Sequence, residues 1–295
     1  MRPKRTDNLE AYDALLRGME YHYRFTPEAN TQARQLCERA IAFDPTYAEA
    51  YLELSFTSYL EWTWKWSQDS QALERADELV RKAIALDDSL ARAHGLLGFV
   101  YVQQHRYDQA AAEAERAVTL APNNAESYAM QADALLFAGR GADALRSIEQ
   151  ALRLNPRYPV VYLQALGVAY QQTGQYAEAI MTYKQVLVRN PNFVYAYVNL
   201  ARVYIAQWAF QLSEDPQTLE QALAAAQRAV TLNDSLARAH VSLGYVYLAQ
   251  KHYEQALAEL ERAVALDPSE AEIHATLAEA LSRVGRPEDA LQLVE

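Results

Sequence analysis

Cysteine, glycine, proline and basic charge are all in short supply in this chain of 295 residues. A single cysteine, Cys37, excludes an internal disulfide and agrees with a reducing compartment. Nine glycines and ten prolines exclude a chain made mostly of loops. Half of the residues are hydrophobic, yet no apolar run reaches the eighteen or so residues of a membrane span, because Arg, Glu, Gln or Asp interrupts each one. The opening MRPKRTDN is basic but has no apolar core behind it, which excludes a secretory signal. Against 38 acidic residues stand 27 basic ones, a net charge of −11. That balance argues against nucleic-acid binding, which needs a surplus of Lys and Arg on one face. The expectation is a soluble cytoplasmic protein without a membrane or nucleic-acid partner.

What is abundant is repetition. A tail of the form A-x-x-x-apolar-x-x-A-aliphatic-x-L-x-P recurs as ARQLCERAIAFDP, AAAEAERAVTLAP, ALRSIEQALRLNP, AIMTYKQVLVRNP and ALAELERAVALDP. These end at Pro45, Pro122, Pro156, Pro191 and Pro268. Two more copies, ADELVRKAIALDDS and ALAAAQRAVTLNDS, put Asp88 and Asp234 where the proline falls. Another copy begins at Ala290 and is cut short. The i, i+3/i+4, i+7 spacing of apolar residues in each tail predicts an amphipathic helix. Proline lacks the N–H needed to continue a helix and disfavours helix in the residue before it, so it stops each one. A second helix opens at once, as in His94-x-x-Leu97-Gly98-x-x-Tyr101, and a short turn, often with glycine as at Gly139, Gly174 and Gly285, leads to the next tail. The unit is a helix–turn–helix of about 34 residues.

These units resemble tetratricopeptide repeats, whose signature is W-x2-L-G-x2-Y…A-x3-F…P. The third matches at His94, Leu97, Gly98, Tyr101, Ala110, Ala117 and Pro122, the fifth at Leu166, Gly167, Tyr170, Ala179 and Pro191, and the seventh at Leu243, Gly244, Tyr247, Ala256 and Pro268. The resemblance implies an all-α, right-handed superhelical α-solenoid of about eight units over residues 10–295, after a basic tail or linker at 1–9. Small residues such as Gly98 and Ala110 let paired helices approach, and stacked units share one continuous core.

The stretch SLARAH occurs at Ser89–His94 and again at Ser235–His240, inside sixteen-residue segments that agree at twelve positions. The second and sixth units each exceed the ordinary spacing by nine residues (Tyr51 to Ala76, Tyr197 to Ala222), which predicts lengthened inter-helix loops. In these loops Trp66–Gln71 aligns with Leu212–Gln217. Residues 10–156 and 157–295 therefore read as a duplicated four-repeat block offset by 146 residues, with the last repeat truncated. SLARAH itself reads as packing and capping, with Asp88 or Ser89, and Asp234 or Ser235, as N-caps.

No catalytic constellation is legible. The histidines lack His-x-x-x-His or H-E-x-x-H spacing, and Cys37 sits in an apolar helix slot that predicts an inert thiol. Gly139-Arg140-Gly141 has neither a preceding strand nor a following Lys-Ser/Thr, so it reads as a turn. No cofactor, no metal and no enzyme are expected.

What remains is surface. In the family the inner, concave face is lined by the first helix of each unit. Carried to this chain, the resemblance places Phe56, Tyr59, Phe99, Gln103, Asp133, Phe137, Gln164, Gln171, Asn199, Arg202 and Tyr245 there, a groove rich in aromatics and amides with few charges. Residues such as Leu52, Phe56, Gly95 and Ala129 replace the Lys and Asn of the family's two-carboxylate clamp, so a partner segment with apolar anchors is expected instead. The segment EWTWKWSQDS offers an aromatic patch of Trp62, Trp64 and Trp66, with Trp208 in the sixth unit. These tryptophans either pack the long loops or form a binding patch, since Trp is enriched at interface hot spots. The leading expectation is a non-catalytic protein-interaction scaffold. The opening segment and the W-x-W-S-x-D insertion also resemble the tetratricopeptide regions that follow bacterial class III adenylate/guanylate cyclase domains. That likeness implies a regulatory module of a signalling protein, and a self-associating structural element is the third reading.

Overall fold

The computed structural model describes residues 6–22, 24, 26–67, 69–210, 217–268 and 270–292. The described residues hold sixteen α-helices and no strand, in two compact units, residues 1–158 and 159–295. The basic segment Met1–Arg5 and most of the insertion at 211–216 lie outside the described residues.

In the first unit four hairpins follow one another: α1 (Leu9–His22) with α2 (Pro27–Phe43), α3 (Ala48–Thr63) with α4 (Ala72–Leu86), α5 (Ala91–Gln103) with α6 (Tyr107–Leu120), and α7 (Ala125–Phe137) with α8 (Gly141–Leu154). The second unit repeats the plan with α9 (Val160–Gln172) and α10 (Tyr176–Arg189), α11 (Val194–Ala209) and α12 (Thr218–Leu232), α13 (Ala237–Ala249) and α14 (Tyr253–Leu266), and α15 (Ala271–Arg283) and α16 (Pro287–Gln292). The nine added residues of the second hairpin do not all go into a loop. Helix α3 is 16 residues long against 13 for α5, and only the rest widens the connection.

Within each unit the core runs from one hairpin into the next, because no hairpin can bury its apolar face alone. Leu97 and Tyr101 of α5 pack with Val80 and Ala83 of α4 and Ala110 and Ala114 of α6. In the second unit Val241, Leu260, Ala263, Ile273 and Leu277 do the same for α13 to α15. A Cβ on Gly98 would lie 3.2 Å from the Ala110 carbonyl oxygen, so the absence of a side chain there sets how closely α5 and α6 approach.

The turns after α3, α5, α7, α9, α13 and α15 end these first helices in the same way. The N–H two residues past the cap reaches back to the carbonyl five residues earlier, as in Arg140 to Leu135 at 2.8 Å, Gln175 to Tyr170 at 2.8 Å and Arg286 to Leu281 at 2.9 Å. The intervening residue is left-handed, which Gly139, Gly174 and Gly285 adopt freely at φ 71°, 76° and 80°. Lys65, His105 and Lys251 hold the same conformation at φ 50°, 58° and 62°, where a Cβ is strained. Replacing the exposed Lys251 with glycine is therefore expected to stabilise the protein by about 1 kcal/mol in urea unfolding.

At five junctions between hairpins the turn rests on an Asp or Asn side chain, whereas at α6–α7 Ala121 precedes Pro122 and Asn124 instead accepts the Glu126 N–H at 2.8 Å. The side-chain oxygens of Asp44, Asn155 and Asn190 accept the N–H two residues on, at 2.9, 3.1 and 3.2 Å. Asp87 and Asn233, which no proline follows, do the same at 3.0 and 3.1 Å. This corrects the capping expected within SLARAH. Ser89 gives both its N–H and its hydroxyl to Asp87, and α5 starts after Leu90 without a side-chain cap.

The histidine of that stretch is a clamp. His94 Nδ1 lies 2.7 Å from the Glu113 carboxylate on α6, and Nε2 lies 3.1 Å from the Asp88 carbonyl. His240 repeats both contacts with Glu259 at 2.6 Å and the Asp234 carbonyl at 2.8 Å. Burial alone would lower the His94 pKa, but the hydrogen bonds to Glu113 and to the Asp88 carbonyl outweigh it and raise the value. Both acceptors take protons only, so both ring nitrogens of His94 donate. Glu113 is thus tied to its histidine and is not a free member of a solvated acidic face.

Candidate functional site

Within each unit successive first helices touch one another: α1 with α3, α3 with α5 and α5 with α7, then α9 with α11, α11 with α13 and α13 with α15. Among the described residues the second helices make no such mutual contacts. Elements that crowd on one side put the inside of the curve there, so the first helices form the inner face of each unit.

In the first unit this face carries a line of rings. His22 at the end of α1 meets Phe56 edge-on, with centroids 5.2 Å apart and planes at 83°. Phe56 and Tyr59, one turn apart on α3, are nearly parallel at 6.5 Å and 16°. Tyr59 then stacks on Phe99 of α5 at 6.1 Å and 18°. Such offset pairs add about 0.5–1.5 kcal/mol beyond burial. The hydroxyl of Tyr59 has Thr63 and Gln103 as polar neighbours and feels the charge of Asp133 on α7. Burial, offset only in part by those two neighbours, raises its pKa. Phe56, Tyr59, Phe99, Gln103 and Asp133 therefore come together, and Phe137, one turn beyond Asp133, is 53% exposed.

Asp133 is half-buried, and no side chain among the described residues pairs with it. Burial pushes its carboxyl up to about 7. An acid whose folded pKa lies above its unfolded value of 3.8 binds its proton more tightly when folded. Stability then falls as pH rises from about 4 and levels off above 7. Asp133→Asn, which imitates the protonated acid, is expected to match the wild type at pH 4. At pH 8 it should be more stable by on the order of 1–3 kcal/mol, discounted for partial exposure. Thermal unfolding at the two pH values checks it.

Beneath the ring line lies a feature absent from the sequence reading. Glu53 of α3 is 2% exposed, with His22 Nδ1 at 3.0 Å and Arg92 Nη1 of α5 at 2.6 Å. Burial alone would raise its pKa, but the bond to His22 and the charge of Arg92 outweigh it and hold the carboxyl below its ordinary value. A buried ion cluster thus underlies the inner face of the first unit, which the reading of the helix positions did not include. The signal was present in Leu52-Glu53-Leu54, an acid between apolar neighbours.

The second unit is different. Arg202 of α11 reaches Glu272 of α15 at 3.6 Å, and Arg238 of α13 bonds Glu270 at 2.6 Å. Tyr245 shares a 3.0 Å bond with Thr276. Gln171 lies 3.5 Å from the Tyr183 hydroxyl, Gln164 has a buried carbonyl oxygen without a partner, and Asn199 is half-buried. No aromatic line joins these residues.

Trp62 and Trp208 are the penultimate residues of α3 and α11 and are exposed by 38% and 43%. Trp64, at the C-cap of α3, is 56% exposed, whereas Trp66 is half-buried. The loop that carries them is pinned by Arg75, which bonds Asp69 at 2.7 Å and Glu61 at 3.3 Å. Clefts of about 320 Å³ between α1 and α2 and about 280 Å³ among α6, α7 and α8 lie away from the ring line. Cys37 is fully buried, and burial, with Glu53 and Glu38 adding to it, drives its thiol well above the ordinary range. Among the described residues no group of three His, Cys, Asp or Glu gathers as metal ligands, and no helix is long and apolar enough to cross a membrane.

Sequence profiles described as tetratricopeptide repeats match residues 91–124, 129–162, 167–207 and 247–295, together just over half of the chain. The transcriptional regulator HilA of Salmonella paratyphi A is 28% identical over 169 residues, 57% of this chain and 30% of that protein. The type IV pilus assembly protein PilF of Pseudomonas aeruginosa is 30% identical over 166 residues, 55% of this chain and 61% of that one. The chain thus spans under two thirds of the length of either relative. A crystal structure of a thermophilic tetratricopeptide-repeat protein of Thermus thermophilus superposes with a TM-score of 0.53 at 29% identity, covering 57% of this chain and 87% of that one. One from Parabacteroides merdae gives 0.65 at 14% identity over 92% and 99%, a likeness of fold alone.

Proposed function

The chain belongs to the tetratricopeptide-repeat family, and on that premise we propose that it is an interaction scaffold holding a segment of a partner protein against the inner face of its first unit. The observation that carries this reading is the ring line Phe56–Tyr59–Phe99, with the exposed Phe137 on the neighbouring first helix α7. Rings already stacked in parallel lose little side-chain freedom on binding and offer apolar anchoring area. The reading is non-catalytic, since recognition by stacked helices needs no covalent step. Capture from a cell lysate tests it. A partner held by the native chain should be lost by the Phe99→Ala/Phe137→Ala variant and kept by the Trp62→Ala/Trp64→Ala/Trp66→Ala variant. The reverse pattern transfers the site to the tryptophan patch. Capture only of the chain itself favours self-association.

A second reading makes this solenoid the regulatory part of a longer signalling protein, such as a class III nucleotide cyclase or a transcriptional regulator. It is supported by the match to a 169-residue stretch of HilA. The discriminating observation is the surrounding reading frame: a catalytic or DNA-binding segment fused in frame supports it, and an isolated solenoid frame removes it. The two four-repeat blocks are read as a duplication, supported by the paired clamps of His94 and His240 and by the like placement of Trp62 and Trp208. Their inner faces have diverged: Phe56 and Tyr59 in one block stand against Arg202 and Ile205 in the other at the 146-residue offset. The blocks are accordingly expected to hold different chemistry.

A further inference from the structure

Resting on the inner-face reading, we propose that the first unit recognises an arginine side chain of its partner segment, with the guanidinium laid against the Tyr59–Phe99 ring pair and paired with the Asp133 carboxylate. Asp133 is a half-buried acid of this face for which no cation is found among the described residues, whereas Glu53 has His22 and Arg92, and Glu61 at the end of α3 has Arg34 and Arg75. A half-buried carboxylate without a partner is costly, and an incoming cation removes that cost. The high carboxyl pKa of Asp133 has burial as its cause, with no nearby cation to lower it. Its charge reaches the hydroxyl of Tyr59, whose ring stacks parallel to Phe99 at 6.1 Å.

Rings, acceptors and a carboxylate in one place match a guanidinium better than an ammonium. The guanidinium is flat, stacks on aromatic faces and presents several donors in a fork, whereas an ammonium is a compact, strongly hydrated charge. The chain makes a related pairing within itself. In the second unit, Arg202 occupies the position offset by 146 from Phe56, and it meets the acid Glu272 across the inner face at 3.6 Å. The first unit offers the acid and the rings without the arginine. The net charge of −11 favours approach of a basic segment over an acidic one.

The test uses the full chain and four immobilised pools of random decapeptides, alike except for one central residue fixed as arginine, citrulline, lysine or glutamate. Citrulline keeps the flat shape and loses the charge. The expected result is at least tenfold greater retention on the arginine pool than on the citrulline or glutamate pool, with lysine between. Asp133→Asn should abolish the preference. Asp108→Asn, which removes one exposed acid from α6, should leave it intact. Since Asp133→Asn is expected to be at least as stable as the native chain, its failure to bind would not be a failure to fold. Equal retention on the arginine and citrulline pools, or equal weakening by Asp133→Asn and Asp108→Asn, overturns the arginine proposal and leaves the inner-face reading in place. Retention that is unchanged in Phe99→Ala/Phe137→Ala, or absent on every pool, overturns both.

Discussion

Replacing Glu53 with alanine is expected to lower the unfolding free energy by about 3–5 kcal/mol. The carboxylate is 2% exposed and joins α1 to α5 through His22 and Arg92. Its removal strands a buried imidazole, whose Nε2 already has no partner, at the end of α1. It also takes away the group that holds His22 edge-on against Phe56. Arg92→Ala should cost far less, about 1 kcal/mol, because Glu53 keeps its bond to His22 and water entering the space of the 44% exposed guanidinium replaces the bond that Arg92 gave. The native contribution has a sign in pH. A carboxyl held below its ordinary value stabilises fully above about 4.5, and that stabilisation disappears as pH falls through the lower, folded value. Urea unfolding of both variants at pH 7 and pH 4 measures the difference, which for Glu53→Ala should shrink at the lower pH. Hydrogen exchange should locate the loss of protection in α1, α3 and α5.

Gly167→Ala is expected to destabilise the second unit by about 3 kcal/mol, the upper end of the range for overpacking. The added methyl carbon would lie 2.5 Å from Cε1 and 2.7 Å from Cζ of Tyr183, closer than carbon atoms approach. Tyr183 is fully buried, so its ring has nowhere to go without parting α9 from α10. In the third hairpin of the same unit a Cβ on Gly244 would lie 2.8 Å from Cγ of Leu260, a smaller and more adaptable neighbour. Gly167→Ala combined with Tyr183→Leu is therefore expected to recover part of the loss, a coupling that a double-mutant cycle would report. Gly139→Ala fails by another route. It meets no atom within 4 Å but must hold φ at 71°, so it should cost only about 1 kcal/mol.

The hairpins were legible because their cause is local and repeated. Apolar residues at helical spacing, Gly98 against Ala110, and an Asp or Asn followed by a stop each state a physical requirement in a few letters. Proline is not required at these turns: Asp87 and Asn233 make the same turn without it, while Ala121 leaves the turn before α7 to Pro122 and the cap Asn124. The ring line was legible as a set of positions but not as a stack, because Tyr59 meets Phe99 across two hairpins 40 residues apart. The Glu53 triad was hidden for the same reason. Its members sit on α1, α3 and α5, and only the third dimension makes His22, Glu53 and Arg92 neighbours. The left-handed conformation of Lys251 could have been read by aligning the turns, since Gly285 fills the same place one repeat later.

The central claim, that a partner lies along the inner face of the first unit, is tested most directly by hydroxyl-radical footprinting of the chain with and without its captured partner. The account predicts protection of Phe56, Tyr59, Phe99 and Phe137, with Met181 and Tyr253 on the second helices α10 and α14 unchanged. Protection confined to those second-helix residues, or to Trp62 and Trp64, with the four inner-face residues labelled as in the free chain, would contradict it.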